Sequence, residues 1–191
     1  MLTELSAQIG VVNTIINDNG RLTGDNIDAI GVINSFKTRG IDLNGKNIVL
    51  LGCGGAARAV AFGLISEYKI NGLTIAGLAV ELDAFAEDIK TKTRIRNIET
   101  VKIDNEKYIV KCSDFAIINA TSVGMLPNID YSLIDTEKSD YSNKIFFDVV
   151  YNPLKTKMLK DAETAGAMII PGRDMFIFQA LRQHIIWTGN T

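Results

Sequence analysis

The turn Gly52-Cys53-Gly54-Gly55-Ala56-Ala57 carries the clearest chemistry in the chain. Gly52-x-Gly54-x-x-Ala57 matches the dinucleotide-binding fingerprint with alanine in the third place. The first glycine permits a tight turn. The second has no side chain, so a pyrophosphate can approach the backbone. The small third residue lets helix and strand pack closely. The helix that follows points its free N–H groups and positive dipole end at the phosphates. The bland alternative is that the glycines serve only a tight strand-to-helix turn. The context favours the nucleotide, because an apolar strand precedes the turn and a helix leaves it.

A dinucleotide site needs a second part. The end of the next strand should carry an acid for a ribose 2′-hydroxyl or a base for a 2′-phosphate. Here it reads Ile75-Ala76-Gly77-Leu78-Ala79, with neither. Glu81 and Asp83 follow on the expected solvent side of a helix. Other candidates have ordinary explanations beside their chemical ones. Asp28 caps the helix that begins there, or does chemistry, or both. Tyr151, before Asn152-Pro153, fits turn chemistry. Gln179 fits a solvated position on an amphipathic helix. Arg58 either reaches cofactor phosphates or solvates its helix. Cys53 reads as a small residue rather than a reactive thiol. His184 is the only histidine and has no evident partner, so it reads as surface. Lys90, Lys92, Arg94 and Arg96 read as a solvated helix end and loop.

These residues need elements to position them. Gly10 to Ile16 and Arg21 to Gly24 read as two strands around the hairpin turn Asp18-Asn19-Gly20. Asp28 to Phe36 has helical spacing, with Gly40 as its stop. Asn47 to Leu51 is a short apolar run suited to a strand buried on both faces. Further strands are expected at 73–76, 115–118, 145–150 and 168–170. Helices are expected at 56–68, 80–89, 154–165 and 175–187. The alternation predicts an α/β fold, a Rossmann-like, doubly wound parallel sheet in three layers. The opening hairpin does not fit that alternation and reads as the remnant of a second domain. Glu4 to Gln8 reads as the end of a helix, so the chain is expected to be a piece of something longer.

The totals exclude several classes. The chain has 191 residues, 47% of them hydrophobic, enough for a real core. Its 20 basic and 22 acidic side chains leave a net charge of −2, which gives nucleic acid or an anionic membrane no electrostatic hold. No apolar run is long enough to span a membrane, and the start lacks the pattern of a signal peptide. Two cysteines, one inside the glycine turn, suggest reduced thiols and a cytoplasmic protein.

Several further motifs occur in a fixed order. They are Val12-Asn13-Thr14, Gly24-Asp25-Asn26-Ile27-Asp28-Ala29, the glycine turn with Arg58-Ala59, and Asn119-Ala120-Thr121-Ser122-Val123-Gly124-Met125. Then come Asp148-Val149-Val150-Tyr151-Asn152-Pro153, Gly172-Arg173-Asp174-Met175, Gln179 and Trp187-Thr188-Gly189. The set resembles the shikimate dehydrogenase family over nearly the whole chain. The resemblance implies NADPH-dependent reduction of 3-dehydroshikimate to shikimate, in aromatic amino-acid biosynthesis. It implies a substrate domain, a Rossmann domain and a cleft between them. Residues 1–27 would then be the remnant of the substrate domain, 28–171 the dinucleotide-binding domain, and 172–191 a helix bracing the substrate domain.

The resemblance gives Asp28 the catalytic aspartate's place, beside a lysine in proton transfer. It makes Asn13, Asp28, Tyr151 and Gln179 substrate contacts. It gives Gly52, Gly54, Gly55 and Ala56 the phosphates, and places Thr121, Val149, Gly172 and Met175 at the nicotinamide end. No metal is implied. A small-molecule substrate is the expected partner, and a homodimer is one open assembly. Three departures stand out. No residue here is assigned to the family's catalytic lysine or its paired carboxylate-binding serines, so turnover by this chain alone is not expected. The family's Gly-x-Asn-Thr-Asp-Gly has Ile27 and Ala29 here, and Ile27 lacks a hydroxyl near the substrate. The family's Asn-Arg-Thr after the second Rossmann strand is Gly77-Leu78-Ala79. That arginine holds the 2′-phosphate, so NADP is expected with NAD as the alternative. The last two departures favour a rival, a non-catalytic nucleotide-binding module. The retained Asn13, Asp28, Tyr151 and Gln179 count against it.

Overall fold

The computed structural model describes residues 1–103, 107–134 and 140–189. The chain opens with a short helix, α1 (Glu4–Ile9), and a two-stranded antiparallel ribbon, β1 (Thr14–Asp18) and β2 (Arg21–Asp25). The helix α2 (Asp28–Lys37) leads into β3 (Asn47–Leu51), α3 (Gly55–Glu67), β4 (Gly72–Gly77), α4 (Ala79–Lys92) and β5 (Ile98–Lys102). The second half runs β6 (Asp114–Asn119), β7 (Ile145–Asp148), α5 (Lys157–Thr164), β8 (Met168–Ile170) and α6 (Gly172–Thr188).

The six strands from β3 to β8 form one parallel sheet in the order β5-β4-β3-β6-β7-β8. The chain works outward from β3 to one edge, then returns to the other side of β3. That reversal creates a crevice between the carboxyl ends of β3 and β6, where open α/β sheets bind ligands.

The β3 run explains the layering. Ile48 and Leu50 face a core shared with α2, α3, α4 and α6. Val49 and Leu51 face a second core with Met158, Leu159 and Ala162 of α5. A strand buried on both faces needs such an unbroken apolar sequence. The expected fold class is therefore observed.

Several local expectations are corrected. The opening helix is not the end of another one. Thr3 caps it by accepting from the Ser6 N–H, and Gly10 closes it in the left-handed region at φ 75°. The first strand starts at Thr14, not Gly10. Asn19 (φ 49°) and Gly20 (φ 90°) form the two-residue turn between the paired Asp18 and Arg21. Helix α5 starts at Lys157, because residues 154–156 belong to a loop. β5 has no counterpart among the strands that the sequence pattern predicts. It is an edge strand carrying Glu99 and Lys102, so it has no continuous apolar run to announce it.

Candidate functional site

The glycine turn sits at the crevice. The Gly52 N–H donates to Ala76 O at 2.8 Å and the Ala120 N–H to Leu51 O at 2.9 Å, which brings the ends of β3, β4 and β6 together. Gly52 lies at φ 108°, and a Cβ there would stand 2.9 Å from Thr121 Cγ2 and 3.0 Å from Ala120 O. The fold itself therefore demands glycine at this position. Gly54 differs. Its φ is an ordinary −74°, and a Cβ there would meet nothing within 4 Å. No packing inside the protein explains it, whereas an approaching phosphate does. Gly54 is the N-cap position of α3 and supplies no side-chain bond, so the first-turn N–H groups have no side-chain cap and can receive an anion. Ala57 is completely buried, as close helix–strand packing requires.

A cleft of about 550 Å³ extends from the turn. Gly54, Gly55 and Ala56 line one end; Thr121 and Met125 from the loop after β6, and Val149 and Tyr151 from the loop after β7, line the other. Gly172 and Met175 do not line it. Met175 is buried against α2, where a Cβ on Gly31 would stand 2.8 Å from its carbonyl oxygen. Gly172 is pressed against the Val149 carbonyl.

Asn13 and Asp28 are brought together. The Asn13 Oδ1 accepts from the Ile27 N–H at 3.0 Å, and its side chain hydrogen-bonds Asp28. Burial pushes the Asp28 carboxyl up, while the Asn13 bond pulls the other way. A carboxyl held this way is suited to exchanging a proton nearer neutral pH. Asp28 is not the cap of α2: Ile27 holds that position, without a side-chain bond, and Asp28 is the first helical residue. Ile27 is itself buried. Tyr151 is 55% exposed and stacks on Phe176 of α6 with centroids 5.0 Å apart. Gln179, half-buried on the same helix, packs beside Gly31.

Arg58 does neither of the things expected. Its Nε donates to Ile9 O and its guanidinium pairs with Asp88, between the rings of Phe62 and Phe85. It clamps α1 to α3 and α4. In the basic run, Lys92 pairs with Asp88, and Arg96 donates to three carbonyls at the end of α4. Glu81, Asp83 and His184 are exposed. Burial, with the Glu81 carboxylate second, pushes the Cys53 thiol up to about 11, so it is no nucleophile at neutral pH. Among the described residues no cluster of three metal-ligating side chains occurs.

The most buried carboxylate beside the cleft carries no signal in the sequence beyond its place in an ordered motif. Asp148, at the end of β7, is fully buried. Burial pushes it up to about 6, against the hydrogen bonds from Thr156, the Val150 N–H and Asn119. The unfolded carboxyl titrates near 4. Between those values the folded state binds more protons, so this group's contribution to stability falls as pH rises through the window. Asp28, also raised, adds a slope of the same sign. Asp148→Asn is expected to remove about 2–3 kcal/mol of this decline between pH 4 and 7, measured as urea midpoints against pH. An unchanged slope would show that Asp148 does not titrate there.

No family model matches the chain. Among curated proteins, the shikimate dehydrogenase (NADP(+)) of Methanocaldococcus jannaschii is 39% identical over 182 residues, or 95% of this chain and 63% of its own length. That of Methanosarcina barkeri is 34% identical over 189 residues, 97% of this chain and 65% of its own. The chain thus spans less than two thirds of these relatives. Among solved structures, a shikimate dehydrogenase in complex with NADP+ superposes with a TM-score of 0.87 at 34% identity, covering 99% of this chain and 65% of that one. The shikimate 5-dehydrogenase of Listeria monocytogenes, in complex with shikimate and NAD, gives 0.86 at 29% identity, covering 99% of this chain and 67% of that one. The ordered motifs, the crevice geometry and these likenesses agree: the chain belongs to the shikimate dehydrogenase family.

Proposed function

We infer that the chain is the nicotinamide-cofactor-binding part of an oxidoreductase that interconverts 3-dehydroshikimate and shikimate. The observation that carries this reading is the cleft, which joins an uncapped helix N-terminus and an open Gly54 to two loops from the family's ordered motifs. The residues fit a dinucleotide: Gly54, Gly55 and Ala56 hold its phosphates by backbone N–H groups, and Thr121 and Val149 face its nicotinamide end. When bound, the cofactor supplies the hydride. Asp28, oriented by Asn13, handles the proton at the substrate oxygen, and Tyr151 and Gln179 contact the substrate. Residues 28–171 form the cofactor-binding unit, and residues 1–27 and 172–191 serve the substrate side.

The relatives' names and the bound structure support NADP(H), while the Listeria structure supports NAD as the alternative. No helix among the described residues is long and apolar enough to cross a membrane. A cytoplasmic protein, with homodimerisation open, fits these observations. One observation favours the rival of a non-catalytic nucleotide-binding module: Gly77-Leu78-Ala79 leaves the adenosine end without an arginine.

Gly54→Ala tests the reading. It is expected to leave the melting temperature nearly unchanged, because its methyl meets open space. It should weaken NADPH and NADH binding by about tenfold or more, by displacing the pyrophosphate. Cofactor titration by nicotinamide fluorescence checks this. Equal affinities in variant and wild type would sink the phosphate assignment. No binding of either cofactor at millimolar concentration would sink the whole reading.

A further inference from the structure

The Asp148 carboxylate gathers three donors, one from the end of β6 and two from the loop after β7. Asn119 Nδ2 donates to it at 2.9 Å, the Val150 N–H at 3.0 Å and the Thr156 hydroxyl at 2.6 Å. The Asn119 side chain continues the chain of bonds. Its amide also donates to Val123 O at 3.1 Å, and its oxygen accepts from the Thr121 N–H and hydroxyl. The Thr121 hydroxyl in turn accepts from the Val123 N–H at 3.1 Å. One link, from Asn119 to Asp148, joins the loop after β6 to the loop after β7, and the others tie each loop to itself. These are the loops that face the glycine turn across the cleft.

Two details show that the arrangement overrides local preference. Thr156 occupies the N-cap position of α5, where a threonine hydroxyl ordinarily accepts from the first turn. It makes no cap bond, and its hydroxyl donates to Asp148. Gly124, at φ 89°, brings the β6 loop down onto Thr156, and a Cβ there would stand 3.1 Å from the threonine Cβ. Thr156 thus touches both loops at once. Neither Asp148 nor Thr156 lines the cleft, so neither meets a ligand.

We propose that Asp148 and Thr156 are positioning residues, a buried latch that fixes the loops 120–127 and 149–156 before the cofactor arrives. The proposal rests on the cofactor-binding reading above. Its benefit is preorganisation: loops already ordered need not be ordered by the ligand, and affinity rises accordingly. Thr121, Val149 and Tyr151 then present one fixed surface.

Two near-isosteric variants of the full chain test it. Thr156→Val keeps the shape and removes the hydroxyl; Thr156→Ser keeps the hydroxyl. Amide hydrogen exchange is followed at Thr121, Val123 and Val150, with the β3 amides as internal reference. NADPH is titrated in parallel by nicotinamide fluorescence. Thr156→Val is expected to speed exchange in both loops by about tenfold and to raise the cofactor Kd by about tenfold, with β3 unchanged. Thr156→Ser should stay within about twofold of wild type on both readouts. The proposal is overturned if Thr156→Val leaves the loops protected, if β3 loosens equally, or if the loops loosen while the Kd holds. If wild type binds no cofactor, the functional reading falls, and the exchange measurement alone decides whether the latch holds the loops.

Discussion

Gly172→Ala is expected to destabilise the chain by about 3 kcal/mol, at the upper end of what overpacking usually costs. A Cβ at Gly172 would lie 2.5 Å from Val149 O, 2.6 Å from Val149 C and 2.6 Å from Val150 O. These are backbone atoms, and they cannot swing aside as a flexible side chain would. They are also tied down. The Val149 N–H donates to Asn119 O at 2.9 Å, and the Val150 N–H to the Asp148 carboxylate at 3.0 Å. Making room means moving the end of β7 or the start of α6, and each carries buried partners. The melting temperature should drop by about 6–12 °C for a chain of this size. Cofactor affinity should fall too, since the displaced carbonyls border the cleft. Thermal unfolding checks the first expectation. A drop of less than about 2 °C would mean that α6 starts with more freedom than the geometry allows.

Gly172 also shows what could and could not be read in the sequence. The motif in which they stand implies a nicotinamide-side role for it and for Met175. The structure gives both a packing contact of their own: Gly172 against β7, Met175 against Gly31. Local signals served well where the physics is local. The apolar run of β3, the glycine turn and the Asn19-Gly20 hairpin are each dictated by residues within a few positions of one another. The unmatched places are those where a distant partner decides. Arg58 finds Ile9 and Asp88, 49 and 30 positions away. Thr156 abandons its own helix for Asp148. The edge strand β5 depends on pairing with β4, from Leu73↔Ile98 to Gly77↔Lys102, rather than on its own composition. Asp28 looked like a cap because aspartate favours that position, yet the helix begins one residue earlier in the frame set by the Asn13 contact. The pairing of Asn13 with Asp28 is legible only through the ordered motifs, because the whole ribbon, Thr14 to Asp25, lies between them.

Leu78→Arg is expected to raise NADPH affinity by about ten- to a hundredfold while leaving NADH within about twofold, since a charge-assisted bond contributes roughly 1.5–3 kcal/mol. Leu78 is the N-cap position of α4, just past the end of β4, where dinucleotide sites meet the adenosine ribose. It is 65% exposed, so replacing it disturbs no core. Gly77 beside it has no room for a larger residue: a Cβ would stand 2.8 Å from Cys53 Sγ. The thiol stands beside Gly77, whereas Leu78 is exposed and free to carry a guanidinium. Lys102, in register with Gly77 on β5, puts an exposed ammonium on this edge, but a point charge lacks the guanidinium fork. Two effects oppose the gain. A cation at a helix N-terminus costs about 0.3–1 kcal/mol, and Glu81, three residues on, competes for the new charge. Combining Leu78→Arg with Glu81→Gln removes the competitor and should give the larger gain. The decisive quantity is the ratio of the NADPH and NADH dissociation constants, measured at fixed ionic strength. If both cofactors tighten together, the new charge acts as a general attractor, and the 2′-phosphate does not lie beside Leu78. A change in the ratio alone places the adenosine end of the cofactor at the start of α4 and makes Gly77-Leu78-Ala79 the segment that sets cofactor choice.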